Sequence, residues 1–368
     1  MPKPFKSSID SIEIYNFRNH NYIKLLDLSN GPIVITGANG IGKTNILEAI
    51  SLLTLSKGLR SAKISELTNQ ENPEFIWRIT AQIQSIYGLK EISTYRNIRP
   101  NAKSDSRLIH IDGQAPQKKD ELGTIIKTIW VTPPMQQLFA GPSSDRRSFF
   151  DHIVTNFFFN HSSHLSKYNK YMRERLKLLK TGQNDNHWLS ALEQNMFIEA
   201  KSISNARMKT LEMLNNAIEK HHTPFTKAIL SLSNEPISED FLSQQRLNRN
   251  IDSASGRTSL GPHLFDLEVI YKEKNMPARL CSTGEQKSLL INIILAQTYA
   301  IIEEFEIIPI LLFDEIISHL DNRNRELLFE EILKINAQAW LSGIDPVSFA
   351  YIKDKAKFID LTSTTSKA

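Results

Sequence analysis

Eight consecutive residues, Gly37-Ala38-Asn39-Gly40-Ile41-Gly42-Lys43-Thr44, have the types and spacing of a phosphate cradle. Three glycines let the backbone curl so that successive amide N–H groups face one anion. Lys43 is placed to reach the β- and γ-phosphates of a nucleoside triphosphate, and the Thr44 hydroxyl to hold Mg²⁺. Far along the chain two carboxylates, Asp314 and Glu315, directly follow the apolar run Ile310-Leu311-Leu312-Phe313. Placed beside the cradle, Asp314 would bind Mg²⁺ through water and Glu315 would polarise an attacking water. An apolar run closed by two acids is commonly structural, and only the intact cradle gives it this chemical reading. Lys43, Asp314 and Glu315 are therefore the candidate catalytic residues, with Thr44 and Asp314 as metal ligands.

These groups need particular elements to position them. The apolar run Ile33-Val34-Ile35 predicts a strand leading into the cradle, and the residues after it predict a helix to about Ser56. Ile46, Leu47, Ile50 and Leu53 would share one face of that helix, and Gly58 would end it. The positive end of the helix adds to the attraction for phosphate. Ile310–Phe313 reads as a parallel strand buried on both faces, with Pro309 tolerated at its start. A second helix opens at Ser282-Thr283-Gly284-Glu285-Gln286-Lys287, where Ser282 and Glu285 could form a capping box. That helix would offer another phosphate-binding N-terminus in a chain that already has one. Two subunits facing head-to-tail could use both, each Ser282/Gly284 turn closing over the nucleotide of the other, in a twofold dimer with two shared sites. Ser318-His319-Leu320-Asp321 could line the same interface or simply cap a helix.

The remaining chain divides by pattern. Ile12–Phe17 alternates as a half-buried strand. Phe75–Ile83, Glu91–Tyr95 and Leu108–Ile111 predict short strands, Asp112-Gly113 a hairpin turn, and Thr128–Val131 a further strand, together a small antiparallel sheet. Residues 149–222 read as helical, with Leu165, Tyr168, Met172, Leu176 and Leu179 as a buried stripe. Lys167, Lys170, Arg173, Lys177 and Lys180 recur at the same spacing on another face. From Asn156 to Leu230 there are eleven Lys/Arg against six Asp/Glu. A solvated helix face and a track for a phosphate backbone both explain that excess, and composition leaves the two open. Asn234–Gly256 reads as polar loop. Leu267–Tyr271 predicts a strand, a helix starts near Thr283, and another spans about Asn322–Asn336. The tail Thr362–Ala368 reads as disordered.

With 368 residues, 40% hydrophobic and 23% charged, the chain can hold two or three units of ordinary globular composition. Its single cysteine, Cys281, excludes an internal disulfide and fits a reducing compartment. The N-terminus lacks the apolar core of a signal peptide, and the runs Leu289–Leu295 and Ile307–Phe313 are too short to cross a bilayer. A cytoplasmic protein without a membrane partner is expected. The net charge of +4 is compatible with an acidic partner.

Taken together, the Gly-x-Asn-Gly-x-Gly-Lys-Thr loop, the Ser-Thr-Gly-Glu-Gln-Lys segment, the Asp-Glu strand and Ser-x-Leu-Asp occur in the order found in ABC-type ATPases. The wide separation of Lys43 from Ser282 resembles the SMC-type branch, although the insertion here is short and shows no sustained heptads. The chain from about Ile12 to Asp345 is most similar to the bacterial RecF family. Asn16-Phe17-Arg18-Asn19-His20, Asp145-Arg146-Arg147-Ser148-Phe149-Phe150-Asp151 and Gly261-Pro262-His263 each resemble segments of that family. Three places depart from it: Leu264-Phe265 stand where an Arg-Asp pair is usual, Pro134 and Met135 stand where acidic residues are usual with Gln136 and Gln137 following, and the switch-like segment is reduced to Ser342-Gly343-Ile344-Asp345.

The resemblance implies an α/β fold, an ABC/SMC-type P-loop ATPase head with an inserted helical lobe. The implied parts are an N-terminal ATPase portion over 1–148, a helical insertion over 149–256 and a C-terminal ATPase portion over 257–368. It implies ATP and Mg²⁺ as cofactors, with Arg18, Asn19, Ser282, Gly284 and Gln286 joining residues 37–44 in nucleotide binding. It also implies an ATP-dependent homodimer acting on DNA, both duplex and single-strand/duplex junctions, as a weak DNA-stimulated ATPase in replication, repair and the SOS response. RecR, RecO and the RecA recombinase pathway are the implied protein partners. Two other functions are compatible with parts of the sequence: the ATP-binding subunit of a membrane transporter, and a DNA-binding scaffold without catalysis. The basic insertion and the wide motif spacing argue against the first; intact Lys43, Thr44, Asp314 and Glu315 argue against the second.

Overall fold

Ile33–Thr36, the strand that leads into the cradle, is flanked on both sides by strands from the far end of the chain. In the computed structural model, which describes residues 4–98, 105–117, 121–181, 185–233, 237–315, 317 and 320–364, five parallel strands form this sheet. Their order is Lys357–Asp360, Ile33–Thr36, Ala339–Gly343, Ile310–Phe313, Thr128–Val131. Every residue of the four strands other than Lys357–Asp360 is buried, as expected of parallel strands covered on both faces. That burial corrects one expectation: Thr128–Val131 pairs in parallel with Ile310–Phe313 and is not part of the antiparallel sheet. All four of its residues, Thr128 included, are buried, so it has no outward face to offer a half-exposed sheet.

The antiparallel sheet also has five strands, in the order His20–Leu25, Ser8–Phe17, Arg78–Ser85, Gly88–Asn97, Ser106–Ile111. Asp112 and Gly113 both have positive φ, at 49° and 78°, and turn the chain back so that Ile111 pairs with Gln114. Both sheets and the Lys43–Ser51 helix share one apolar core, in which Ile14, Phe17 and Ile79 meet Ile46, Ile50, Ile35 and Leu312. The two chain ends are also stitched by a buried amide. Gln338 accepts from Ile9 N at 2.9 Å and donates to Ile9 O at 2.9 Å and Ser29 O at 2.8 Å.

The helix after the cradle stops at Ser51, earlier than its apolar spacing predicts. Side-chain hydroxyls take over its carbonyls: Ser51 Oγ donates to Glu48 O at 2.6 Å, and Thr54 Oγ1 and Ser56 Oγ each donate to Ser51 O at 2.9 Å. At the other end of the chain, Asn322–Ile335 is capped by Asp321, which accepts from Asn324 N at 2.9 Å. Ser318 and His319 of the Ser-x-Leu-Asp segment lie outside the described residues. The tail begins as a short helix, Leu361–Thr364, whose Leu361 is buried in the core; residues 365–368 lie outside the description. Thr283–Phe305 is long and apolar enough to cross a membrane, contrary to the shorter runs seen in sequence, but 67% of its most apolar window is buried inside the protein.

By contacts the chain divides into two compact units. The first comprises Met1–Gln137, His221–Phe225 and Thr283–Ala368, and the second Leu138–Lys220 and Thr226–Ser282. His221, in the five-residue return to the first unit, stacks on Tyr299 with centroids 4.0 Å apart and bonds Glu303 at 2.7 Å.

The second unit extends beyond the 149–256 insertion read from sequence because charged pairs and strands tie in its flanks. Arg146 grips Asp266 at 2.7 and 2.9 Å, and Ala228–Leu232 pairs antiparallel with Leu267–Tyr271. Its helices are Ser143–Phe157, His161–Thr181, Asn186–Lys220, Phe241–Leu247 and Arg249–Ser255. The last two occupy what reads as polar loop. They hide from a hydrophobic pattern because Gln245 and Asp252 are buried on their inner side beside Phe241.

Candidate functional site

The cradle lies at the carboxyl end of the parallel sheet, where open α/β sheets bind ligands. Gly37, Gly40 and Gly42 have φ of 144°, 84° and 107°, a region that side chains rarely adopt. At Gly42 the requirement is also steric, since a Cβ would stand 2.3 Å from the His20 ring. Lys43 is 3% exposed and folds its ammonium back onto the loop, donating to Gly37 O at 2.8 Å and Ala38 O at 2.9 Å. Burial lowers its pKa, and the nearby charges of Glu315 and Asp314 oppose that shift.

Next to Lys43, Thr44 Oγ1 donates to Asp314 Oδ1 at 2.8 Å, joining positions 270 residues apart. Asp314 is held there because Leu311–Phe313 runs beside both Ile129–Val131 and Ala339–Leu341, and Asp314 N donates to Val131 O at 2.9 Å. Ser342 Oγ donates to the same carboxylate oxygen at 2.8 Å and accepts from Glu315 N at 2.9 Å. Burial raises the Asp314 pKa; the Ser342 and Thr44 hydrogen bonds work against it.

The Thr44 hydroxyl and the Asp314 carboxylate are paired hard oxygen donors. Among the described residues no group of three or more His, Cys, Asp or Glu could hold a metal by itself. This donor set fits Mg²⁺, which keeps waters and phosphate oxygens in its shell and takes few protein ligands. Thr44 and Asp314 are the residues that would hold it.

A raised carboxylate pKa means that the folded protein favours the protonated acid. Its contribution to stability is complete below the unfolded-state pKa and is lost as pH rises through the higher folded value. At neutral pH the ionised Asp314 therefore costs stability. Asp314→Asn keeps the acceptor oxygen for Thr44 and Ser342 while removing the charge. The variant is expected to melt at a higher temperature than wild type without nucleotide, and to lose Mg²⁺-dependent nucleotide binding. Calorimetry with and without Mg²⁺ and ATP checks both; a lower melting temperature would contradict the electrostatic account.

The turn between the first two long antiparallel strands reaches the cradle. Arg18 makes a two-pronged ion pair with Glu48 at 2.7 and 2.9 Å, and Arg60 approaches the same carboxylate at 3.3 Å. Asn19 Nδ2 donates to Gly40 O at 3.1 Å, and Asn19 Oδ1 accepts from Asn45 at 2.6 Å. His20 Nε2 lies 3.1 Å from Gly42 O, which makes Nε2 the protonated nitrogen, and burial holds the ring pKa below the usual value.

Residues 37–44, Arg18, Asn19, Asp314 and Glu315 thus belong to one neighbourhood. Gly284 and Gln286 lie in the first turn of Thr283–Phe305 in the same unit, while Ser282 closes the second unit.

Sequence reasoning missed several participants. Glu48 and Arg60 bear no motif of their own, and Ser342, read only as part of the reduced switch-like segment, shows its role through its two hydrogen bonds. Gln136, in the turn Pro133–Gln137 after the edge strand, has a buried Nε2 with no hydrogen-bond partner among the described residues. It can donate to an acceptor such as water. Asp345 accepts from Val347 N at 2.8 Å and caps its own turn.

In the second unit, the motif residues hold the unit together. Asp151 accepts from Arg207 Nε and NH2 at 2.8 Å each, and His161 Nε2 lies 2.8 Å away. Burial alone would raise the Asp151 pKa, and these two partners bring it below the ordinary value. Tyr168 donates to His263 Nδ1 at 3.1 Å, which requires Gly261 because a Cβ there would meet the phenol oxygen at 1.9 Å. Asp266, which follows Phe265, supplies the acid that Arg146 grips. Lys167, Lys170, Arg173, Lys177 and Lys180 are all exposed. Arg175 and Arg207, included in the same basic count, are buried and paired, and so are not offered to a partner.

Comparison with known proteins places these features in context. The sequence matches the family described as RecF/RecN/SMC N terminal domain over residues 8–356. It is 37% identical to the DNA replication and repair protein RecF of Rickettsia typhi over 363 residues, covering 96% of this chain and 99% of that protein. The Rickettsia akari protein of the same name is 38% identical over 363 residues, with 96% and 99% covered. Among solved structures, the fold is similar to the recombination mediator protein RecF-ATPrS in the RecFOR pathway, with TM-score 0.81, 22% identity and 95% of each chain covered. It is also similar to the Smc head domain of Pyrococcus furiosus, with TM-score 0.51, 18% identity and coverage of 94% and 92%.

Proposed function

The chain belongs to the RecF family, within the RecF/RecN/SMC N terminal domain group, and on that premise we propose that it is an ATP-gated DNA clamp acting at single-strand gaps in replication and repair. ATP is the nucleotide, residues 37–44 cradle its phosphates, and Thr44 and Asp314 hold Mg²⁺. When bound, Mg²⁺ neutralises charge on the β- and γ-phosphates. Lys43 supplies a positive charge to the same oxygens, and Glu315 orients and deprotonates water. The observation that carries this reading is the 2.8 Å hydrogen bond between Thr44 and Asp314, which completes a phosphate site from opposite ends of the chain.

In this reading the head combines segments 1–148 and 257–368 around an insertion at 149–256. Ser282, Gly284 and Gln286 of each subunit close over the nucleotide of its twin, so ATP joins two subunits in the cytoplasm and hydrolysis releases them. Moving a two-state balance from about 1:99 to 99:1 takes about 5.5 kcal/mol, within reach of two nucleotides bridged by charge-assisted hydrogen bonds. The exposed lysines of His161–Thr181 contact the DNA backbone, and binding is salt-sensitive with little reading of bases. Turnover is slow and DNA-stimulated, because its product is a timed conformational state. RecR, RecO and the RecA pathway are the partner class.

Sedimentation with and without ATP and gapped DNA tests the scheme. Wild type is expected to dimerise with ATP and to carry gapped DNA with it. Lys167, Lys170, Lys177 and Lys180 together changed to Glu are expected to lower DNA affinity at least tenfold and to flatten its salt dependence. Unchanged affinity would return that stripe to ordinary solvated surface, and monomers in saturating ATP would remove the clamp.

A further inference from the structure

A phosphate loop works by turning its amides inward, which obliges its carbonyls to turn outward and find donors there. Lys43 serves Gly37 O and Ala38 O from within the loop. The outer side is served by three consecutive residues of another element. Arg18 is locked to Glu48 of the helix that follows the loop, Asn19 donates to Gly40 O at 3.1 Å, and His20 lies 3.1 Å from Gly42 O. The bound carbonyl of Gly42 also receives the helix amides Asn45 N at 3.0 Å and Ile46 N at 3.2 Å, so the His20 bond sets its direction more than its satisfaction. The ring has a second action. It occupies the place that a Cβ at residue 42 would take, packing directly on the glycine whose φ is 107°.

We infer that the hairpin tip Arg18-Asn19-His20 is a strap that holds the phosphate loop in its anion-binding shape before nucleotide arrives, with His20 as its positioning residue. The inference rests on the nucleotide-binding reading and deepens it. Arg18 and Asn19 then act through the loop as well as by any contact of their own, and His20 touches no reacting atom. Its removal raises the cost of ordering the loop, which is felt when ATP binds and much less once ATP is in place.

The test compares wild type, His20→Leu and His20→Gln in the full-length protein, with ATP affinity measured by calorimetry and hydrolysis by phosphate release. Leu keeps bulk without a donor; Gln restores an N–H that can reach Gly42 O. The expected result is a KM and a Kd for ATP raised about tenfold in His20→Leu with kcat changed less than twofold, and recovery to within about threefold of wild type in His20→Gln. Equal affinity in His20→Leu and wild type would overturn the strap, as would a Gln variant no better than Leu. Should the Leu variant fold poorly, the Gln variant carries the test by itself, since affinity weakened tenfold despite normal melting would also overturn the donor role. Failure of wild type to bind ATP would overturn the nucleotide reading instead, a separate outcome.

Discussion

Changing Glu315 to Gln is expected to slow ATP hydrolysis at least a hundredfold while leaving ATP bound, because a general base contributes about 10²- to 10⁴-fold. Glu315 is one of few non-glycine residues with positive φ, at 51°, and its backbone N–H is pinned to Ser342 Oγ at 2.9 Å. That hydroxyl also holds Asp314, so the two acids are fixed by one side chain. A non-glycine residue held in this sparsely populated region needs surrounding structure to keep it there, a pattern associated with functional sites. Gln has the same shape and leaves those backbone contacts intact, so the change isolates proton acceptance. Single-turnover hydrolysis should show the loss, and sedimentation should show a long-lived dimer in ATP. Adding Ser282→Arg should dissolve that dimer and leave ATP affinity within about threefold, if Ser282 serves the nucleotide of the partner as proposed. Wild-type turnover in Glu315→Gln would remove it as the base; equal loss of dimer and affinity in the double variant would place the site within one chain.

The second large effect is on stability. Arg175 is fully buried and binds Glu193 at 2.9 Å, Asp252 at 2.5 Å and the Gln245 carbonyl at 2.8 Å. Both acids are 1% exposed, and Arg249 supplies the second cation to Glu193 at 2.6 Å. Two positive and two negative charges thus tie His161–Thr181, Asn186–Lys220 and Arg249–Ser255 together. Removing one member leaves the others without full compensation, which costs about 3–5 kcal/mol. Against a typical domain stability of about 5–15 kcal/mol, Arg175→Met should unfold at a much lower urea concentration or fail to accumulate. Circular dichroism during urea titration measures the shift. A midpoint equal to wild type would show that these helices are held by their apolar contacts alone. His161–Thr181 also presents the proposed DNA-binding lysines, so weakened DNA binding by this variant must be judged at urea-free temperatures where it remains folded.

How much of this was legible beforehand varies residue by residue. The strand Leu267–Tyr271 and the strand Ile310–Phe313 fall where their sequence patterns place them, the first with Glu268 outward between buried Leu267 and Val269, the second as a continuous buried run, because both patterns are local properties. Thr128–Val131 is equally visible as a strand, but its partner is not: a short buried run does not say which neighbour it pairs with. Arg175 was hidden in plain spacing. Positions 168, 172, 175 and 179 lie on one helix face, and Tyr168, Arg175 and Leu179 are buried there, but a charged residue is read as outward until its partners are known. Those partners lie 18 and 77 positions away.

The amino-acid sequence by itself determined that a phosphate loop exists, for glycine, lysine and threonine at fixed offsets dictate a backbone shape within eight residues. It also determined that Asp314 and Glu315 end a buried strand. Only the tertiary structure decided that Asp314 meets Thr44, that Ser342 joins both acids, and that Asn19 and His20 of a hairpin tip meet the loop carbonyls. The physical reason is range. Backbone curvature and helical periodicity are settled by neighbours a turn or two away, whereas hydrogen bonds across parallel strands, and the neutralisation of buried charge, depend on which remote segments the collapsing chain brings side by side.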